Sequence, residues 1–215
     1  ASAGVIDVTS TTLDIGSGQT LSFSGFSGSK VILDDSVVLT DVADATADFT
    51  GTVEIELESD VTWGSADPAL SFTGAVTMDD DGSTRQFTYA GDDLVLNGDT
   101  FGAGVLLQND GTLVADGNVA INDSLTNTGL FRIDTSSSDV DATVSLFGNA
   151  SNTGTISLIA NDGTTDDHAS VFIQSDNTLT SSGLLQSGGS GNEFNAVRTD
   201  GTFIGGGTID VNHDL

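Results

Sequence analysis

A short motif recurs in the second half of the chain, with an apolar residue, an Asn, Ser or Thr, a Gly and a second apolar residue at alternate positions. Its five copies are Leu107–Leu113, Leu125–Phe131, Ala150–Ile156, Leu179–Leu185 and Val197–Phe203. A small unit that recurs with insertions of variable length is typical of a solenoid, in which each unit buries its apolar face against its neighbours. The motif therefore predicts a stacked coil, which is a scaffold whose fold alone does not define an activity.

Apolar and polar residues alternate along most of the chain, as in Leu21-Ser-Phe23 and Phe87-Thr-Tyr89. This period of two predicts short, half-buried strands, and no window shows the apolar stripe of a helix. The recurring motif favours a parallel β-helix in which Asn or Thr side chains stack into ladders and Leu and Phe fill the interior. An antiparallel sandwich remains open, because Asn97-Gly98 is a typical two-residue hairpin turn.

The motif divides the chain unequally. Residues 105–215 carry it and are predicted to form β-solenoid repeats, whereas residues 1–104 keep only the alternation. Terminal solenoid repeats are usually atypical, so residues 1–104 are predicted to be a divergent or capping β region, and a separate sandwich-like domain is the alternative. We expect one continuous body cut from a longer chain.

The net charge limits the range of partners. The 215 residues include 32 Asp and Glu but 4 Lys and Arg, which gives a formal charge of −28. Such a field repels nucleic acids and anionic membranes and attracts cations. The chain has no Cys, and no apolar run reaches the roughly 20 residues of a transmembrane helix. We expect no nucleic-acid partner, no transmembrane segment and an extracellular or cell-surface location.

Two acidic segments are the candidate metal ligands. Glu54, Glu56 and Glu58 alternate with apolar residues, which places three carboxylates on one face of a strand, and Asp79, Asp80 and Asp81 precede a glycine. Calcium binds six to eight oxygens and accepts such carboxylates, although ordinary solvated acidic residues would give the same pattern. Calcium is thus the candidate cofactor. No catalytic residue and no organic cofactor site is predicted, and we expect that the chain is not an enzyme.

The element Leu107-Gln-Asn-Asp-Gly-Thr-Leu113, together with Gly205-Gly-Gly-Thr-Ile209, resembles the β-solenoid repeats of large bacterial surface proteins. Autotransporter passenger domains and filamentous-haemagglutinin-type adhesins are the most similar groups. The resemblance implies a right-handed parallel β-helix, export to the cell surface and a role as a stalk or adhesive surface.

The leading functional expectation is a structural or adhesive segment that is stabilised by cations. It would serve as a stalk or as the unit of a self-assembling extracellular filament, because the open end of a coil is a sheet edge. One alternative is a carbohydrate-binding or carbohydrate-active β-helix, including the phage tail spike type, with a glycan or cell-surface ligand. In another, the acidity is an adaptation to high salt.

Overall fold

The computed structural model describes the backbone of residues 5–8, 12–14, 20–25, 30–33, 38–40, 46–64, 69–72, 75–135, 141–160, 168–189 and 194–211. Within these ranges the regular structure is entirely β. The first nine strands are β1 (Val5–Val8), β2 (Thr12–Asp14), β3 (Thr20–Gly25), β4 (Lys30–Leu33), β5 (Val38–Thr40), β6 (Thr46–Gly51), β7 (Val53–Leu57), β8 (Val61–Gly64) and β9 (Ala69–Phe72). The next nine are β10 (Val76–Asp80), β11 (Arg85–Ala90), β12 (Leu94–Leu96), β13 (Thr100–Phe101), β14 (Val105–Asn109), β15 (Thr112–Ala115), β16 (Asn118–Ile121), β17 (Leu125–Asn127) and β18 (Leu130–Asp134). The last nine are β19 (Ala142–Leu146), β20 (Ala150–Asn152), β21 (Thr155–Ala160), β22 (His168–Ile173), β23 (Thr178–Ser181), β24 (Leu184–Gly189), β25 (Phe194–Thr199), β26 (Thr202–Gly205) and β27 (Thr208–Val211).

Every third strand belongs to the same sheet. Sheet 1 has nine strands in the order β1-β4-β7-β10-β13-β16-β19-β22-β25; sheet 2 has seven, from β8 to β26; and sheet 3 has six, from β12 to β27. Two shorter sheets, β2-β5 and β3-β6-β9, complete the N-terminal rungs. All strand pairs in the described part of the chain are parallel. The fold is therefore a parallel β-helix, as the sequence predicted, and each rung contains three strands.

The antiparallel sandwich does not occur in the described residues. The Asn97-Gly98 turn connects β12 of sheet 3 to β13 of sheet 1, so it is a corner of the coil and not a hairpin. Gly98 has a φ of 81°, in the left-handed region that glycine adopts without steric cost. Sheet 1 also includes strands from both sides of residue 104, so the N-terminal strands follow the same coil as the repeats.

Asparagine side chains form a ladder inside the coil. Asn109, Asn127 and Asn152 are buried and pair in register across β14, β17 and β20 of sheet 2, followed by Ser181 on β23. The Nδ2 of Asn109 donates to Oδ1 of Asn127 at 2.7 Å, and the Nδ2 of Asn127 donates to Oδ1 of Asn152 at 2.7 Å. The Nδ2 of Asn152 then donates to Oγ of Ser181 at 2.9 Å. These bonds confirm the predicted ladder and satisfy polar groups that would be costly to bury alone.

The ladder begins at Asn109, because the preceding residue of the same row is Tyr89. Burial raises the pKa of Tyr89 to about 12, and its hydroxyl donates to the carbonyl of Asp92. The Tyr89 hydroxyl therefore makes its bond away from the ladder, and Oδ1 of Asn109 is buried without a hydrogen-bond donor. Asn109 is thus the end of the row at which one polar atom remains without a hydrogen-bond partner.

Glycines form a second column, at the corner between sheets 2 and 3. A Cβ on Gly111, Gly129, Gly154 or Gly183 would lie 2.1 to 2.2 Å from the carbonyl oxygen of the glycine one rung earlier. At each corner two backbone N–H groups donate to one carbonyl of the preceding rung, as Thr128 and Gly129 do to Asn109 at 2.8 and 3.0 Å. The two residues of the sequence motif thus act differently. The Asn side chains hydrogen-bond successive rungs inside the coil, and the absence of a Cβ at Gly lets the corners of successive rungs pack closely.

The fifth copy of the motif lies at a different corner of the coil from the other four. Val197–Phe203 connects β25 of sheet 1 to β26 of sheet 2, whereas the other four copies connect sheet 2 to sheet 3. The true equivalent is Phe203–Ile209, in which Phe203 pairs with Leu179 and Gly205 takes the ladder position after Ser181. An earlier equivalent at Phe87–Leu94, with Tyr89 at the Asn position, was missed because it lacks the Asn.

Candidate functional site

The glutamate segment lies on the outer surface of sheet 1, as its alternation predicted. In β7, Val53, Ile55 and Leu57 are buried, while Glu54 is exposed and Glu56 is half-buried. Glu58 is exposed and follows the end of the strand. Glu54 and Glu56 therefore sit on a strand whose apolar face is buried in the core, whereas Glu58 lies just beyond it.

The strand register brings the two predicted acidic segments together at one point. Glu56 pairs with Asp79 of β10, the strand that follows β7 in sheet 1. Neighbouring strands lie about 4.8 Å apart, so the two residues are immediate neighbours across the sheet. Glu54, by contrast, lies between Lys30 and Thr77 in its row. This Glu56–Asp79 pair is the closest approach that the register gives between the two segments.

The carboxylates of Asp79, Asp80 and Asp81 have different neighbours. A Cβ on Gly102 would lie 2.5 Å from Oδ1 of Asp79, and one on Gly104 would lie 2.8 Å from the carboxylate of Asp80. Both carboxylates thus lie over glycine backbone of the next rung, where a side chain would collide with them. Asp81 instead accepts bonds from Arg85, at 3.1 Å to Nε and 2.7 Å to Nη2. The Arg85 guanidinium lowers the pKa of Asp81.

No group of three or more His, Asp or Glu side chains in the described ranges is placed to hold a metal ion. The six predicted ligands are therefore spread over the Glu56–Asp79 pair, the Asp81–Arg85 ion pair and three single carboxylates, which are Glu54, Glu58 and Asp80. Calcium binding by Glu54, Glu56, Glu58, Asp79, Asp80 and Asp81 stays a prediction.

Two of the described arginines lie beside carboxylates. Arg85 binds Asp81, and Arg132 lies 3.1 Å from Asp134 and 3.9 Å from Asp93. Arg132 projects from sheet 3 and Arg85 lies in sheet 2, so the two guanidinium groups do not converge on one surface.

Sequence reasoning missed a buried carboxylate at Asp99, which is 2 % exposed. It directly precedes Thr100, which pairs with Thr77 and Ala120, so Asp99 lies in an interior row between Val76 and Val119. The N–H of Val76 donates to Oδ1 at 2.7 Å, and the N–H of Asn97 donates to Oδ2 at 2.8 Å. Because β13 has only two residues, the Asp99 side chain supplies the acceptor that a longer strand would offer to Val76. Asp99 occupies a row position that is Val in the neighbouring rungs. The sequence alone could not show this, because the register was needed to align the rungs.

Burial raises the pKa of Asp99 to about 6 from 3.8, although the two backbone N–H groups oppose the shift. The folded state therefore binds a proton more tightly than the unfolded chain, so Asp99 favours folding below pH 4 and loses that contribution as the pH rises through 6. We expect the difference in unfolding free energy, wild type minus Asp99→Asn, to fall by roughly 2.4 kcal/mol between pH 4 and 7, since each pKa unit is worth about 1.4 kcal/mol and part of the effect lies below pH 4. Urea unfolding of both proteins across this range measures it, and a difference that is independent of pH would contradict the assignment.

Comparisons with protein-family models, with curated proteins and with solved structures gave no match. In the described residues there is no helix of sufficient length and apolarity to cross a membrane. The structure places the chain in the class of parallel β-helices.

Proposed function

We propose that the chain is a structural and adhesive segment of a secreted or surface-anchored bacterial protein, which serves as a stalk or as the unit of a self-assembling extracellular filament. The interior ladder is the observation that supports this best. Its Asn side chains bond one rung to the next, and the corner glycines let those rungs stack closely. The Asn and Gly residues that define the sequence motif thus hold successive rungs together, as a stiff spacer requires.

The filament form of the proposal draws on the last rung. Strands β25, β26 and β27 are terminal in their sheets. Ile209 of β27 is 58 % exposed, although its register partner Leu185 is 8 % exposed. Terminal strands carry backbone N–H and C=O groups that another strand can pair with. A further strand that adds in parallel at this edge, from the same chain or from a second copy, would pair these groups and cover Ile209.

The negative charge of the chain is the reason that cations are part of the proposal. A net charge of −28 opposes both the compact state and the approach of a second copy. The Glu56–Asp79 pair adds a local repulsion on sheet 1 that a bound cation would relieve. We therefore propose that cations stabilise the rod, with calcium at this pair as the specific form.

Sedimentation velocity and thermal unfolding, each in EDTA, in millimolar calcium and in sodium chloride of matched ionic strength, test the proposal. We expect an elongated particle that melts at a higher temperature in both salts than in EDTA at low ionic strength. A further rise in calcium that Glu56→Gln removes and Glu54→Gln retains would locate the ion at the pair. A compact frictional ratio, or a melting temperature that does not respond to any cation, would contradict the cation-stabilised rod.

A further inference from the structure

Sheet 1 is narrowest at β13. This strand has two residues, Thr100 and Phe101, and is the shortest strand in the described part of the chain. Two residue pairs join it to β10 and two join it to β16, whereas β10 and β7 share five. Glycines with positive φ lie on both sides of it, Gly98 at 81° and Gly104 at 101°. The backbone therefore holds β13 less firmly than the other strands of sheet 1.

A buried carboxylate replaces a backbone acceptor beside this strand. In the preceding rung, the N–H of Val53 donates to the carbonyl of Ala75 at 3.3 Å. The N–H of Val76, which pairs with Val53 in register, donates instead to Oδ1 of Asp99 at 2.7 Å. Oδ2 of Asp99 accepts from the N–H of Asn97 at 2.8 Å. The Asp99 side chain thus connects the corner before β13 to the rung that precedes it.

The same two rungs lack a ladder bond in the interior of sheet 2. Tyr89 of β11 pairs with Asn109 of β14, and Oδ1 of Asn109 has no hydrogen-bond donor. The backbone of sheet 2 is nevertheless continuous at this boundary, because β11 and β14 share five residue pairs. Sheet 1 can therefore open between these rungs while sheet 2 keeps them joined, which is the arrangement of a hinge.

The strands around Asp99 supply no second buried charge. The carboxylates on β10, β12, β16 and their adjoining corners are all at least partly exposed; they are Asp79, Asp80, Asp81, Asp92, Asp93, Asp116 and Asp123. Burial raises the pKa of Asp99 to about 6, and the N–H groups of Val76 and Asn97 oppose that shift. Tyr89 is the other buried titratable group in the described interior, and its pKa of about 12 separates it from the titration of Asp99.

We propose that β13 is a pH-sensitive hinge of the coil, at which sheet 1 opens when Asp99 is ionised and closes when Asp99 is protonated. Opening hydrates a carboxylate that is buried without a counter-charge. A protonated carboxyl group keeps an oxygen that can accept from the N–H of Val76. Since the folded state has the higher pKa, the closed form is favoured most below pH 4 and loses this advantage as the pH rises through 6. Above that pH the rungs before β13 can bend relative to those after it.

Hydrogen–deuterium exchange of the full chain, resolved by mass spectrometry and corrected for the intrinsic effect of pH on exchange, tests this inference. Carboxylates of ordinary pKa are already ionised between pH 5 and 7. In that range we expect the equilibrium constant for local opening at Thr100–Phe101 to rise roughly tenfold. Strand β17 (Leu125–Asn127) is the internal control, and its opening constant should stay nearly unchanged.

Three variants assign the effect to one carboxylate. Asp99→Asn should make opening at β13 independent of pH, and Asp99→Val, which matches Val76 and Val119 in the row, gives a second variant if Asp99→Asn does not fold. The matched control is Asp116→Asn, at the corner of the next rung, which should keep the wild-type rise. No rise in wild type, an equal rise at β17, or a rise that persists without Asp99 would overturn the hinge. All these outcomes are independent of whether the chain serves as a stalk.

Discussion

Gly129→Ala is expected to destabilise the coil by about 3 kcal/mol or more, at the upper end of the cost of overpacking a well-packed interior. Its Cβ would lie 2.1 Å from the carbonyl oxygen of Gly111. That oxygen already accepts a bond from the N–H of Leu130 at 2.9 Å, so it cannot move away without breaking the contact between rungs. Urea unfolding followed by circular dichroism measures the loss.

The matched control is Gly188→Ala, since a Cβ there meets no atom within 4 Å. We expect it to be neutral or to stabilise by about 0.5 kcal/mol, because alanine restricts the unfolded chain more than glycine does. Equal effects of the two substitutions would mean that the corner glycines are not in close contact, and the stacked corner would be wrong.

Asn127→Ala is expected to be the most damaging substitution of a polar residue in the interior. The Asn127 side chain accepts from Asn109 at 2.7 Å and donates to Asn152 and to the carbonyl of Thr155, at 2.7 and 3.0 Å. Removing it takes away one partner of each group; Nδ2 of Asn109 keeps its bond to the carbonyl of Leu130 at 2.9 Å, and each buried group left unpaired costs about 1–3 kcal/mol. We expect a total loss of roughly 4 kcal/mol in the free energy of unfolding, measured by urea titration.

Two variants separate the ladder from general side-chain loss. Thr126→Ala, at the neighbouring outward position, should change stability by about 0.5 kcal/mol or less. Asn127→Ser should recover part of the loss, because a serine occupies the ladder at position 181 and accepts a bond there. If Asn127→Ala proved as mild as Thr126→Ala, the interior hydrogen bonds would not be what holds the rungs together.

The architecture could be predicted because the ladder residues form a recurring motif with fixed spacing in the sequence. Asn109, Asn127 and Asn152 each stand two residues before a corner glycine and two after a buried apolar residue, and this spacing recurs only if the chain repeats one turn. The alternation of Val53–Leu57 likewise gave the correct outward side for the glutamates.

The register between rungs could not be predicted, since the segments between ladder positions differ in length. Successive ladder residues are separated by 18, 25 and 29 positions. The pairing of Glu56 with Asp79, the interior position of Asp99 and the displaced fifth copy all depend on that register. The position of Tyr89 in the row before Asn109 could not be recognised for a different reason. A tyrosine whose hydroxyl bonds outside the row occupies the position that Asn takes in later rungs.

The most direct test of the account is a distance along the coil. Thr62 and Thr180 are exposed and belong to one outward row of sheet 2, five strand steps apart. The chain has no natural Cys, so spin labels on Thr62→Cys/Thr180→Cys are specific. Double electron–electron resonance should give one narrow distribution that corresponds to a backbone separation of about 24 Å, from about 4.8 Å for each step. A broad distribution, or a separation that requires a different strand order, would contradict a rigid coil.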